Sequence, residues 1–473
     1  MRVLPVVIPT PEQLKIILRQ QPGTILIRGA AGSGKTTTIL LRLRSLAKSW
    51  LNRRERLGLT DPVRILVLTF NRTLRGYIHE LATEQIKDST GLDLQISTFA
   101  KWAVNLLGLP LIAKHEECRK KIQELGTSIS LTPNFLTDEV EYTLGRFLPE
   151  DLENYLTCRR DGRGAAPRVD QKMRQQILND VILPYNSWKV GRGEIDWNDL
   201  AIGLTKRDIT HSYDIIIVDE AQDFSANQIR AIGNQLAEDH SLTFVLDAVQ
   251  RIYPRGFTWK EAAINIRPND IYRLKKNYRN TVEIARFALP LLKGMDIDND
   301  GTLPDFNSCE RKGPVPKVVK GKFGKQMEYV MDYIRNEVDL SQESVAFLLP
   351  KGGGWFSEIE KYLQRSRLEY LHITRESDWP EGDENIALCT LHSAKGLEFN
   401  HVIIPGLNQE VTIHGKEEGD DQLNMLRRLL AMGIGRARQS VVLGYKPKEA
   451  STLISYLNPD SYEEVDLCPL TKL

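Results

Sequence analysis

Cysteine is scarce and scattered in this chain: Cys118, Cys158, Cys309, Cys389 and Cys468 are the five in 473 residues. No two form a CxxC pair, which speaks against zinc ribbons and thioredoxin-like redox chemistry and points to reduced thiols in a cytosol. An excess of either charge is also missing. The 63 Lys and Arg against 62 Asp and Glu leave a net charge of +1, so any surface for a polyanion has to be a local patch. Nothing approaches the roughly 18 consecutive apolar residues of a membrane helix. Met1 to Thr10, interrupted by Pro5 and Pro9, makes no secretory signal. The expectation is a cytoplasmic protein with no membrane partner.

What is present is a globular composition, 41% hydrophobic and 26% charged, at a length that suits two to four domains. Short apolar runs alternate with helical stretches. They fall at 24–28, 64–69, 213–218 and 242–246, and again at 344–349, 386–390, 401–404 and 440–444. Continuous apolar strands separated by helices predict parallel sheets covered on both faces, hence an α/β protein with two such domains. Between about Phe99 and Lys206 the pattern turns helical, interrupted by a basic, turn-like segment from Arg159 to Gly164. This reads as an insertion in the first α/β domain.

The string Gly29-Ala-Ala-Gly32-Ser33-Gly34-Lys35-Thr36 matches GxxxxGK[ST] and lies between a predicted strand and a predicted helix, the context a phosphate-binding loop requires. Backbone N–H groups and the helix N-terminus suit phosphate oxygens. Lys35 supplies charge to the β- and γ-phosphates, and the Thr36 hydroxyl suits Mg²⁺. A second run, 215–218, ends in Asp219 and Glu220. Asp219 is placed as a Mg²⁺ ligand and Glu220 as the group that orients or deprotonates an attacking water. Together these imply ATP and Mg²⁺, and still leave kinases, transporters and signalling switches open.

Two further strings narrow the choice: Asp219-Glu-Ala-Gln-Asp223, and Thr390-Leu-His-Ser-Ala-Lys-Gly-Leu-Glu-Phe399. With them the chain resembles the UvrD/Rep/PcrA family of superfamily 1 DNA helicases, and the other motifs follow in that family's order. The resemblance implies two RecA-like domains. Residues 1–98 and 207–272 correspond to the first, 99–206 to a helical 1B-like insertion, and 273–473 to the second. It implies that Gln13 reads adenine, with Gly29, Gly32, Ser33, Gly34, Thr36, Thr37, Tyr278 and Glu398 around the nucleotide. Lys35, Glu220, Gln250 and two arginine fingers, Arg279 and Arg436, are the implied catalytic set. Phe70, Asn71, Thr98, Phe99, Tyr253, Trp259, Thr390 and His392 are implied contacts to single-stranded nucleic acid.

Several positions depart from the family pattern. Ala100 stands where His is usual, Thr37 where an Arg stacks on adenine, and Leu246 for the Gly of a Gly-Asp pair. Gly435 replaces Thr, and Ala431 an aromatic. Only 111 positions (390 − 279) separate Arg279 from Thr390, enough for an α/β core but not for the family's 2B subdomain. The resemblance thus implies a compact translocase on single-stranded DNA, moving 3′→5′, with duplex unwinding dependent on a partner such as a nuclease or repair factor. The alternatives are an ATP-switched subunit regulating a nuclease, and an RNA-directed motor. Asp296 to Gly301 imitates the start of an EF-hand loop but has Asn307 where a Glu is needed, so an acidic surface loop is expected. The basic residues Arg311, Lys312, Lys317, Lys320, Lys322 and Lys325 are expected to form a solvated face.

Overall fold

The computed structural model describes residues 9–29, 33–69, 91–160, 167–207, 212–246, 257–274, 277, 279–295, 309, 311–351, 354–374, 384–394, 397–415 and 420–468. Six strands form the first sheet: β1 (Gly23–Gly29), β2 (Val63–Thr69), β3 (Leu92–Thr98), β4 (Tyr213–Val218), β5 (Leu236–Leu246) and β6 (Ile271–Leu274). Their spatial order is β3-β2-β4-β5-β1-β6, and every pairing is parallel. Side chains alternate between faces. Ile25, Ile27, Ile65, Val67, Ile215 and Ile217 face one core, while Leu26, Leu66, Leu68, Ile216 and Val218 face another. Burial on both faces is why these strands read as unbroken apolar runs. The first face is covered by helix Lys35–Arg56 through Ile39, Leu43, Leu46, Ala47 and Trp50, spaced three or four apart. The second face is covered by helices Phe99–Leu107, Trp197–Thr205 and Ala226–Gly233.

The helical region between β3 and β4 has a core of its own, built from Ile122, Leu136, Val140, Tyr155, Ile177, Val181 and Tyr185 among others. It leaves and re-enters the sheet domain side by side at the Ile112–Ile195 bridge. A π-helical turn at Ile177–Ile182 leads into helix Leu183–Arg192. Pro184 follows that turn and cannot donate a backbone hydrogen bond, so a widened turn accommodates it. Glu139 is fully buried there and is satisfied by Arg160 at 2.8 and 3.0 Å and by the Tyr155 hydroxyl at 2.9 Å.

The second sheet has seven strands, again all parallel: β7 (Lys317–Lys320), β8 (Val345–Leu349), β9 (Leu371–Ile373), β10 (Ile386–Thr390), β11 (Phe399–Ile404), β12 (Ala437–Tyr445) and β13 (Glu463–Asp466), in the order β13-β7-β12-β11-β8-β10-β9. Helices Phe323–Glu337 and Gly354–Arg365 pack on one face, and Val282–Ala288 and Asp421–Ile434 on the other. Between Arg279 and Thr390 every described strand belongs to this sheet. Three of the six residues of the basic stretch are ion-paired. Lys320 bridges to Asp466 at 3.0 Å, Lys317 to Glu337 at 3.4 Å and Lys325 to Glu328 at 2.6 Å. None of the five cysteines is in a disulfide. Among the described residues no helix is long and apolar enough to cross a membrane. The EF-hand-like string lies outside the described residues.

His401 of β11 is buried, with Nδ1 2.8 Å from Ser440 Oγ and Nε2 3.2 Å from a Glu343 oxygen. Burial pushes its pKa below the ordinary histidine value, against the upward pull of Glu343. A lowered folded value means that the unfolded chain takes the proton first as pH falls. The stability involved is therefore present above the unfolded value, about 6.5, and is lost below it. The urea midpoint should fall as pH drops from about 7 to 5.5, with that step missing in His401→Asn. A wild-type midpoint that is constant over this range would refute the assignment.

Candidate nucleotide and nucleic-acid site

Leu26 of β1 and Val218 of β4 both pair with Phe244 of β5; β4 ends at that row, while β5 runs on to Leu246 and β1 to Gly29. One strand lies between β1 and β4, which sets their axes about 10 Å apart across the sheet. Ligands of parallel α/β sheets bind in the crevice beyond such carboxyl ends. From β1 the chain passes Gly29 and reaches Gly34, whose φ of 75° lies in the left-handed region. A Cβ on Gly34 would stand 2.5 Å from Gln13 Nε2, so both backbone and space call for glycine here. Helix Lys35–Arg56 starts at once, with no side-chain cap on its first turn, so its N-terminal N–H groups lie at the end of this loop. Lys35 Nζ donates to Gly29 O at 2.9 Å, closing the loop with an ammonium group at its mouth. Thr36 and Thr37 follow on the first turn, both half-buried.

Gln13 is 2% exposed and braces this loop. Its Oε1 accepts from Thr10 N at 2.9 Å, completing a capping box, and its Nε2 donates to Gly34 O at 3.3 Å. Each bond uses half of the amide's capacity. One N–H donor and one acceptor lone pair remain, the complement of a base edge carrying one acceptor and one amine.

At the end of β4, Asp219 is 2% exposed and its backbone N–H donates to Leu68 O at 2.9 Å. Its Oδ1 accepts the Glu220 N–H at 3.0 Å. Glu220 has φ 53°, a left-handed conformation that costs a non-glycine residue roughly 1 kcal/mol or more. The turn re-aims the chain as it leaves the sheet, and Gln222 Nε2 donates to the Glu220 carboxylate. Thr36 and Asp219 offer a hydroxyl and a buried carboxylate, the hard oxygen donors that suit Mg²⁺.

The second sheet contributes a guanidinium cluster. Arg279 pairs with Glu398, donates to Gly435 O at 3.3 Å, and is positioned by Asn277, whose Oδ1 accepts the Arg279 N–H at 3.2 Å. Asn280 Nδ2 donates to Gly435 O and Ala437 O, which ties this turn to the residues flanking Arg436. Burial opposes ionisation of Glu398, but Arg279, Arg438 and Arg436 together hold its carboxyl below the usual range. Arg436 is buried beside them. The spacing of Asn277 and Asn280 around Arg279 was a legible signal for these positioning amides. Nothing in the sequence marked Arg438 or the Arg279–Glu398 pairing.

The nucleic-acid residues are placed unevenly. The Thr98 hydroxyl caps helix Phe99–Leu107 by accepting from Lys101 N at 3.3 Å, which leaves its own proton to donate. Phe99 is a core side chain, 5% exposed and edge-on to Trp102 and Phe224. Both neighbours are core side chains, so the Phe99 ring packs inside the domain here. Trp259 is half-buried against Phe244, ring centroids 4.8 Å apart. Thr390 ends β10 and its hydroxyl lies 3.0 Å from Ser393 Oγ, in the turn that carries half-buried His392. Gly32, Phe70, Asn71, Gln250, Tyr253 and Tyr278 lie outside the described residues.

The profile of the UvrD/REP helicase N-terminal domain matches residues 10–271, and that of the UvrD-like helicase C-terminal domain matches 357–448. The chain belongs to the UvrD/REP helicase family. A protein named "Probable DNA helicase" from Mycoplasma pneumoniae is 24% identical over 473 residues, covering 91% of this chain and 82% of that protein. A "Probable DNA helicase II homolog" from Mycoplasma capricolum is 23% identical and covers 76% of this chain. "ATP-dependent DNA helicase HMI1, mitochondrial" from Saccharomyces cerevisiae is 20% identical over 395 residues, 78% of this chain. The chain spans about half the length of these last two relatives. Family membership makes the two sheets RecA-like and the chain an ATP-hydrolysing helicase-class enzyme.

Proposed function

We propose that this protein is a Mg²⁺-ATP-driven translocase on single-stranded DNA, moving 3′→5′, that leaves sustained duplex opening to a partner. The observation that carries the reading is the division of the site. Lys35, Thr36, Asp219 and Glu220 lie beyond the carboxyl ends of β1 and β4 in one sheet, and Arg279 and Arg436 at the amino ends of β11 and β12 in the other. Negative charge spreads over the γ-phosphoryl group during transfer, so cations that reach it lower the barrier. Arginines borne by a second domain act only when the domains close, which links hydrolysis to motion. Residues 1–98 with 207–272, and 273–473, are the two motor domains of this reading, and 99–206 the 1B-like insertion. Polarity, DNA preference and the partner come from family likeness.

In the bound state Lys35 balances phosphate charge, Gln13 meets the amine and ring nitrogen of adenine, and Glu220 takes a proton from the attacking water. Thr36 and Asp219 would hold Mg²⁺, which would supply positive charge against the phosphates. Steady-state ATPase assays with and without a single-stranded DNA oligonucleotide test the reading. Strong stimulation is expected, with Glu220→Gln reducing turnover by about a hundredfold or more while ATP still binds. Equal stimulation by a matched RNA would undo the DNA preference, and no stimulation by either would undo the motor.

A further inference from the structure

Arg42 is fully buried on helix Lys35–Arg56, two turns beyond Lys35. Its Nη1 donates to Ile16 O at 2.7 Å and also to Arg19 O, and its Nε donates to Thr243 Oγ1 at 3.1 Å. Every one of these acceptors is neutral, and Nη2 has no hydrogen-bond partner among the described residues. Arg19, which is itself paired with Asp270 at 2.8 Å, adds a like charge nearby. Burial first, and Arg19 second, pull the Arg42 pKa down to about 10. A buried cation without a carboxylate is a poor way to stabilise a core, since apolar side chains of similar volume pack at lower cost.

The acceptors show what the guanidinium joins. Ile16 lies at the end of helix Pro11–Ile17, and that helix carries Gln13 in its first turn. Ile16 O already accepts Arg19 N at 3.3 Å, and Arg42 adds a second, charged donor to it where the helix ends. Thr243 is in mid-β5, the strand that runs toward Gln250. Arg42 itself rides on the helix that begins at Lys35 and Thr36. One planar fork therefore ties the base-reading helix, the phosphate-loop helix and the central strand together. Gln13 closes the other end of this frame through Gly34 O.

We propose that Arg42 is a positioning residue for nucleobase recognition, holding the Gln13 helix in register with the phosphate loop so that base and phosphates are bound as one unit. The proposal rests on the reading of Gln13 as the base-contacting amide. Removing the fork frees the helix end to shift, and a hydrogen-bonding amide displaced by even an ångström loses its partner.

The test is a double-mutant cycle of Arg42→Met and Gln13→Ala, reading KM for ATP and the ATP/GTP ratio of kcat/KM in the full chain. Each single change should raise KM for ATP by about three- to tenfold and lower the ATP/GTP ratio by a similar factor. kcat should fall much less. The double variant should be no worse than Gln13→Ala alone, because Arg42 acts through Gln13. Arg42→Lys keeps the charge but not the fork, so it should resemble Arg42→Met, and it carries the cycle if the methionine variant does not fold. If the two effects multiply, or if Arg42 variants change kcat alone, Arg42 is merely structural and the proposal fails. If Gln13→Ala leaves KM and the ATP/GTP ratio unmoved, the reading of Gln13 is wrong, and the proposal falls with it.

Discussion

Arg279→Ala is expected to lower DNA-stimulated kcat for ATP by about a thousandfold, with a much smaller change in KM. A finger acts on charge that develops only in the transition state, so its loss appears in turnover before affinity. The Ala variant also deprives Glu398 of the guanidinium paired with it. Arg438 and Arg436 still favour the Glu398 carboxylate, so the fold should survive that loss. Arg279→Lys separates charge from geometry. An ammonium cannot span Glu398 and Gly435 O as the guanidinium does. It should therefore recover little of the activity. Thermal melting of both variants within a few degrees of wild type, alongside lost turnover, would assign the effect to chemistry. A fall of less than about tenfold in both would remove Arg279 from the catalytic set.

Lys35→Ala is expected to cut ATP turnover by about a hundred- to a thousandfold and to weaken ATP binding as well. Unlike the finger, Lys35 lies in the loop that holds the phosphates in every state, so ground-state affinity and barrier should both suffer. Its side chain is half-exposed and donates to Gly29 O from the edge of the loop rather than from the core. Stability should therefore change by less than about 1 kcal/mol. Fluorescent-nucleotide titration with single-turnover hydrolysis resolves the two effects. Retained hydrolysis with unaltered binding would remove the loop from the nucleotide site.

The strands that were legible share one property. Residues 24–28, 64–69, 213–218, 242–246, 344–349 and 386–390 lie inside sheets covered on both faces, where most side chains are apolar and the few polar ones, such as Thr243 and Asp214, are hydrogen-bonded. Those that were not legible, β3, β6, β7, β9 and β13, sit at or next to sheet edges or are short. There, polar residues such as Asp93, Gln95, Lys317 and Glu464 meet water. The same distinction holds in the helical region. Helices Phe99–Leu107 and Trp197–Thr205 have the composition of their neighbours. Packing alone attaches them to the first sheet, while residues 113–188 close around a separate core.

At the site, the sequence by itself determined which chemical groups are available. A glycine-rich loop before Lys35 and Thr36, and an apolar run ending in Asp219 and Glu220, are local patterns, because strand, turn and helix start follow one another along the chain. Tertiary structure decided what those groups do to one another. The burial of Phe99 against Phe224, the Arg279–Glu398 pair across 119 positions and the Arg42–Thr243 bond across 201 each bring together residues from different elements. Spacing along the chain carries no record of such contacts, since they depend on strand order and on which face of a sheet each helix covers.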